Sequence, residues 1–129
     1  LIHPGAIIAS GVRIGKGTVV MAGAVINPAA TIGVGCIVNT GAIIEHDCVV
    51  RDYCHVAVGA RLCGTVTVGE ECWLGAGSVV SNNVQISSRV MLGAGAVVVK
   101  DILKGGTYVG VPARYMNILK SGGGSCMVE

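Results

Sequence analysis

Residues 44–64, IEHDCVVRDYCHVAVGARLCG, place a branched aliphatic side chain at every sixth position: Ile44, Val50, Val56 and Leu62. Counted outward in sixes, the beat reaches back to Ile2 and forward to Val98, seventeen positions without insertion or slip. Four residues after each comes a small or β-branched residue, here Cys48, Cys54 and Ala60, with Ile102 as the last. Three residues after each, Gly fills nine of the seventeen positions, from Gly5 to Gly95. The beat decides the fold.

A period of six with two inward positions describes a two-residue strand followed by a corner. The Gly-rich position is where the chain turns with positive φ. Three strands and three corners close one triangular coil of eighteen residues, and coils stack through parallel ladders. Seventeen hexads make roughly 5.7 coils, an all-β prism on the order of 27 Å tall at about 4.8 Å per coil. The beat covers residues 1–103. Residues 104–129 form an extension in which YVGVP reads as strand, residues 113–120 as a short helix and the Gly-rich end as a flexible tail.

Composition agrees with thin layers. The 129 residues include no Phe, one Trp and 21 Gly, so Val, Ile and Ala must fill the core. A net charge of +2 is too weak to argue for nucleic acid or an anionic membrane. No apolar run is long enough for a transmembrane helix, and no signal peptide pattern is present. The sequence opens on Leu1 in mid-repeat, and we read it as part of a longer protein.

Register also accounts for most of the six cysteines. Cys36, Cys48, Cys54 and Cys72 fall on the inward small-residue position. Cys36, Cys54 and Cys72 are eighteen apart and stack on successive coils. Their parallel Cβ vectors suit disulfides poorly, so reduced packing cysteines, typical of the cytoplasm, are expected. Cys63 points outward, and Cys126 lies in the tail.

Two of the three histidines fall in the opening stretch. His46 lies on a corner and His55 on an outward flat face, half a coil apart. One prism places them on different edges or faces. They converge only if a second copy comes alongside, which points to a symmetric oligomer, most naturally a trimer. A solvated corner is the plain alternative for His46, but its company argues for more. Glu45 and Asp47 flank it, and a carboxylate can orient an imidazole. Asp47 also has a purely conformational reason to sit there, since Asp tolerates left-handed backbone. Gly64 lies one coil above His46 and offers an N–H beside the ring, a candidate oxyanion donor. Trp73 lies one coil above His55 and either walls a cleft or covers the surface.

The hexad beat resembles the hexapeptide repeat of left-handed parallel β-helix acyltransferases. The left hand comes from that resemblance, because the usual crossover rule favours the right. NTGAIIEHDC at 39–48 with HVAVGA at 55–60 is similar to a narrower group, the sugar acetyltransferases of bacterial surface-glycan pathways. That group comprises the bacillosamine and perosamine type N-acetyltransferases and the related sialic acid O-acetyltransferases.

The resemblance implies a homotrimer with active sites between subunits and acetyl-CoA as co-substrate, without metal. It implies His46 as general base, Asp47 as its orienting carboxylate and the Gly64 N–H on the thioester carbonyl. It places Asn39, Glu45 and His55 in the acceptor pocket. Acetyl-CoA would lie in the groove between prisms, along Gly64, Ala76 and Ala94. GVPAR at 110–114 resembles the segment that ends CoA-dependent members, so Lys100 and Arg114 fall to the CoA phosphates; surface solvation is an equal reading for both. The γ-type carbonic anhydrases share the fold, but the nine-residue spacing of His46 and His55 does not resemble their close pair.

The expected function is therefore acetyl transfer from acetyl-CoA to the amino or hydroxyl group of a sugar, such as a UDP-4-amino-sugar, in the cytoplasm. A sialic acid O-acetyltransferase and a non-catalytic trimeric scaffold are the alternatives. Members of the group also carry an N-terminal α/β domain that these 129 residues do not contain.

Overall fold

The computed structural model describes residues 1–118 and 126–128, and they form a parallel β-helix of two-residue strands. Three parallel ladders make the three faces of the prism. Face 1 carries Ile7–Ile8, Val25–Ile26, Ile43–Ile44, Arg61–Leu62, Val79–Val80 and Val97–Val98. Face 2 carries Arg13–Ile14, Thr31–Ile32, Val49–Val50, Thr67–Val68 and Gln85–Ile86. Face 3 carries Val19–Val20, Ile37–Val38, His55–Val56, Trp73–Leu74 and Val90–Leu92, then the C-terminal strands. The eighteen-residue register holds on every face: Ile44 pairs with Leu62, Val50 with Val68 and Val56 with Leu74.

The second residue of each two-residue strand, and Leu92 in Val90–Leu92, points inward and is buried from Val20 to Val98, and these branched aliphatics form one continuous core column. Full burial of each such side chain contributes about 1.5–3 kcal/mol. The corners are uniform. Every sixth residue from Gly11 to Gly95 has φ between 55° and 74°, including Asp47, Tyr53, Thr65 and Arg89. Gly is therefore preferred but not required, and the ladder imposes left-handed backbone even on a β-branched residue.

Thr18, Cys36, Cys54 and Cys72 stack at the corner between faces 2 and 3. Each donates a side-chain hydrogen bond to the carbonyl fifteen residues on: Thr18 Oγ1 to Gly33 at 2.7 Å, Cys36 Sγ to Arg51 at 3.1 Å, Cys54 Sγ to Gly69 at 3.0 Å and Cys72 Sγ to Ser87 at 3.1 Å. These side chains satisfy corner carbonyls that Ala cannot. The four inward cysteines are buried free thiols, and burial pushes Cys36 and Cys48 up, keeping them protonated donors.

The end of the coil departs from the beat. Ile102 bridges to Ile86, and Gly106–Val109 pairs in parallel with Val90–Leu92, so the last coil takes sixteen residues. The short helix expected at 113–120 is not formed over its described part: Arg114–Ile118 is a strand, antiparallel to Gly106–Val109. Open backbone groups on Gly106–Val109 gain more from pairing than the isolated segment would from one helical turn. YVGVP is strand as far as Val109 and then turns at 110–113. Cys126–Val128 pairs in antiparallel with Arg114–Ile118, and the Gly-rich part of the expected flexible tail lies outside the described residues. Among the described residues no helix is long and apolar enough to cross a membrane.

Candidate functional site

His46 stands on the edge between faces 1 and 2, with its side chain 58 % exposed. Its hexad explains the position: Ile44 and Cys48 are driven inward, so the two residues of the turn between them project out. Asp47 takes the left-handed corner at φ 59°, which brings its carboxylate back onto the preceding imidazole. Nδ1 of His46 lies 3.0 Å from Asp47 Oδ2. A carboxylate only accepts, so Nδ1 carries the proton, and in the neutral ring Nε2 presents a lone pair. Glu45 does not join this pair; its Oε2 accepts weakly from the His46 backbone N–H at 3.4 Å.

The free side of the imidazole lies against Gly64. A Cβ placed there would come within 2.6 Å of Nε2 and 2.8 Å of Cε1. The eighteen-residue count had aligned these two residues, and the structure makes the alignment a close approach. The Gly64 N–H has no protein acceptor among the described residues. The edge therefore offers a lone pair and a backbone donor side by side.

His55 and Asn39 form a second cluster, on face 3. Asn39 Nδ2 is 3.1 Å from His55 Nε2, and Asn39 Oδ1 accepts the Thr40 N–H at 2.7 Å. Trp73 pairs with His55 in register, their ring centroids 4.3 Å apart and tilted by 52°. Partial burial lowers the His55 pKa from its ordinary value. Face 3 is opposite the edge that carries His46. In a single prism the two clusters do not meet. Ile37, Trp73 and Met91, in register with His55 or stacked beyond it, remain 39 %, 48 % and 48 % exposed.

Ala76 and Ala94 are exposed and stack on a third line, the edge between faces 3 and 1. Lys100 lies on the His46 edge beyond Gly64, roughly 14 Å from His46 along the axis at about 4.8 Å per coil. Lys100 and Arg114 meet in one cleft of about 400 Å³, lined also by Val99, Tyr108, Pro112 and Tyr115. Sequence reasoning missed the two tyrosines. They pair across the hairpin, with centroids 5.5 Å apart, and Lys104 Nζ stands 4.4 Å from the Tyr115 ring centre. Burial, and then the neighbouring Tyr115, pushes Tyr108 up. Their near-symmetric placement about GVPAR was the available signal.

Residues 65–100 match the family described as bacterial transferase hexapeptide (six repeats). The acetyltransferase domain of PglB from Neisseria gonorrhoeae is 42 % identical, with a TM-score of 0.88, over 89 % of this chain and 56 % of that one. The perosamine N-acetyltransferase of Caulobacter crescentus, solved as a histidine-to-asparagine mutant with CoA and GDP-perosamine, is 42 % identical, with a TM-score of 0.86, over 88 % and 54 %. WeeI from Acinetobacter baumannii is 30 % identical, with a TM-score of 0.83, over 86 % and 55 %. The chain thus spans about half the length of these solved relatives. Comparison with curated proteins gave no match. The solenoid is the left-handed parallel β-helix that the hexad beat resembles. The chain thus carries the bacterial transferase hexapeptide repeat over residues 65–100 and is similar, over most of its own length, to the perosamine N-acetyltransferase and the PglB acetyltransferase domain.

Proposed function

We propose that the chain is the catalytic β-helix of an acetyl-CoA-dependent sugar acetyltransferase. The observation that carries this reading is the His46 imidazole, held by Asp47 at Nδ1 and laid across Gly64 on its free side. Nε2 takes the proton as the acceptor nitrogen or oxygen attacks the thioester carbonyl. The Gly64 N–H stabilises the oxyanion that forms. The C–S bond then breaks, and the CoA thiolate leaves with the proton returned by the imidazolium. Holding both substrates in one groove supplies much of the acceleration through proximity.

The cleft with Lys100, Arg114 and two tyrosines suits a nucleotide: cations for phosphates and rings for a base. Ala76 and Ala94 leave an edge without bulk along which a pantetheine arm can lie. The acceptor in this reading is a nucleotide-linked amino sugar rather than a sialic acid, with UDP-4-amino-sugars the first candidates. A relative that is an N-acetyltransferase, solved with GDP-perosamine bound, supports an amine.

The working unit is a homotrimer. His46 stands opposite the face carrying Asn39 and His55, so a complete site takes its two halves from different subunits. The exposed Ile37, Trp73 and Met91 beside His55 are suited to burial against a neighbour. Free buried thiols suit the reducing cytoplasm, where we place it.

The test is calorimetric titration of the purified protein with acetyl-CoA, with light scattering to establish subunit number and an acetyl-transfer assay on nucleotide-linked amino sugars. Micromolar binding to a trimer, and transfer abolished by His46→Ala, are expected. A folded trimer that binds no acetyl-CoA would leave a scaffold.

A further inference from the structure

His55 and Asn39 make a network whose hydrogens can be assigned. The backbone N–H of Thr40 donates to Asn39 Oδ1 at 2.7 Å, and Thr40 is itself held in the stack, its carbonyl accepting the Gly59 N–H at 3.0 Å. That contact fixes the Asn39 amide, because the flipped form would set its NH₂ against another donor. The Asn39 group facing His55 Nε2 at 3.1 Å is therefore a donor, and Nε2 must accept. In a neutral imidazole that accepts at Nε2, the proton sits on Nδ1.

We infer that Asn39 is a positioning residue that locks His55 in its Nδ1–H tautomer, the one His46 also holds, so that the two site imidazoles leave opposite groups free. His46 presents a lone pair at Nε2; His55 presents a proton at Nδ1. The His55 Nδ1–H has no protein acceptor among the described residues, although the ring is half-buried against Trp73. Its partner is then an acceptor oxygen of the bound substrate, a sugar hydroxyl or carbonyl oxygen. The groups around the ring, Ile37, Trp73 and Asn39, are uncharged, and burial alone favours the neutral state that the network requires. His55 does not exchange protons in this scheme. It selects an acceptor by what that acceptor can receive, and an analogue lacking that oxygen leaves a buried donor unpaired.

The tautomer stands on geometry alone, whereas its use by substrate rests on the transferase reading. Two measurements keep them apart. Nitrogen-15 NMR of the full chain labelled at histidine reads the tautomer directly. Wild type is expected to show an unprotonated Nε2 and a protonated Nδ1 for His55 near neutral pH. Asn39→Asp, of equal size but accepting only, is expected to turn the ring to its Nε2–H form, and Asn39→Ala to give a mixture. A protonated Nε2 in wild type overturns the proposal, as does an unchanged signature in Asn39→Asp.

The second measurement compares kcat/KM for His55→Gln and His55→Phe. The Gln side chain can accept from Asn39 and donate to substrate, so it is expected to exceed Phe about tenfold, or about 1.4 kcal/mol of transition-state binding. Equal loss in both, with the wild-type tautomer as assigned, removes the donor role and leaves the lock intact.

Discussion

The His46 imidazole and the Gly64 backbone occupy one another's space: a single methyl on Gly64 would sit 2.6 Å from Nε2. Gly64 is not among the left-handed corners, so its glycine is not demanded by φ. What it supplies is clearance. We therefore expect Gly64→Ala to fold and melt as wild type while the exposed imidazole swings aside and kcat falls roughly 10²-fold, the scale of a lost general base. Steady-state kinetics beside thermal melting checks this; wild-type turnover would show that the ring works from another position.

Asp47 has two duties, and they can be separated. Asn also tolerates a φ of 59°, so Asp47→Asn keeps the corner, but its amide no longer obliges Nδ1 to hold the proton. Turnover is expected to drop by about 10–10²-fold with the melting temperature unchanged, less than the roughly 10²–10⁴-fold of the acid–base group itself. Asp47→Ala should lose both activity and some stability. Equal activity of the Asn and Asp forms would reduce Asp47 to a turn residue.

Stability should carry a signature of His55. Burial lowers its pKa from the ordinary 6.5, so the unfolded chain takes up the proton first as pH falls. The contribution of the neutral ring is full above pH 6.5 and is lost as pH drops below it toward the lowered folded value. Melting temperatures recorded from about pH 7.5 down to about pH 5 should fall more steeply for wild type than for His55→Phe. Parallel curves would place the ring in a more watery setting.

Ser78 is buried, and its hydroxyl lacks a hydrogen-bond partner among the described residues. It stacks in a column whose neighbours, Ala24, Ala42, Ala60 and Ala96, have no polar atom to leave stranded. Ser78→Ala is expected to raise stability by about 1 kcal/mol, the cost of an unsatisfied buried hydroxyl. Urea denaturation reads this directly, and a destabilised variant would mean that the hydroxyl is satisfied.

Much of this molecule is legible by counting. Ile44, Val50 and Val56 announce the coil, and adding eighteen to His46 finds Gly64, because a solenoid converts sequence separation into height at fixed rotation. The same count places Cys36 under Cys54 under Cys72. Counting fails where the period fails. Lys104 stands where the beat would require an aliphatic, and pairing of Ile102 with Ile86 shortens the last coil in a way no local pattern encodes. The strand Arg114–Ile118 was read as helix because its partner, Gly106–Val109, is supplied by the tertiary fold. The Asn39–His55 bond was hidden for another reason. The two residues are sixteen apart, so the bond runs diagonally between neighbouring coils and depends on a rotamer that sequence does not state.

The eighteen-residue coil also sets which lengths of inserted or deleted chain the site can survive. His46 and Gly64 share an edge only because one whole coil separates them. Six residues gained or lost between them would leave a sound hexad beat but turn everything downstream by one face, carrying Gly64 away from His46. Eighteen would restore the edge yet lift Gly64 out of reach by a coil. Insertions before His46 or beyond the Lys100 cleft would change the height of the prism and nothing at this edge. The interval from His46 to Arg114 is thus a region of fixed length, in which substitutions can accumulate but insertions and deletions cannot.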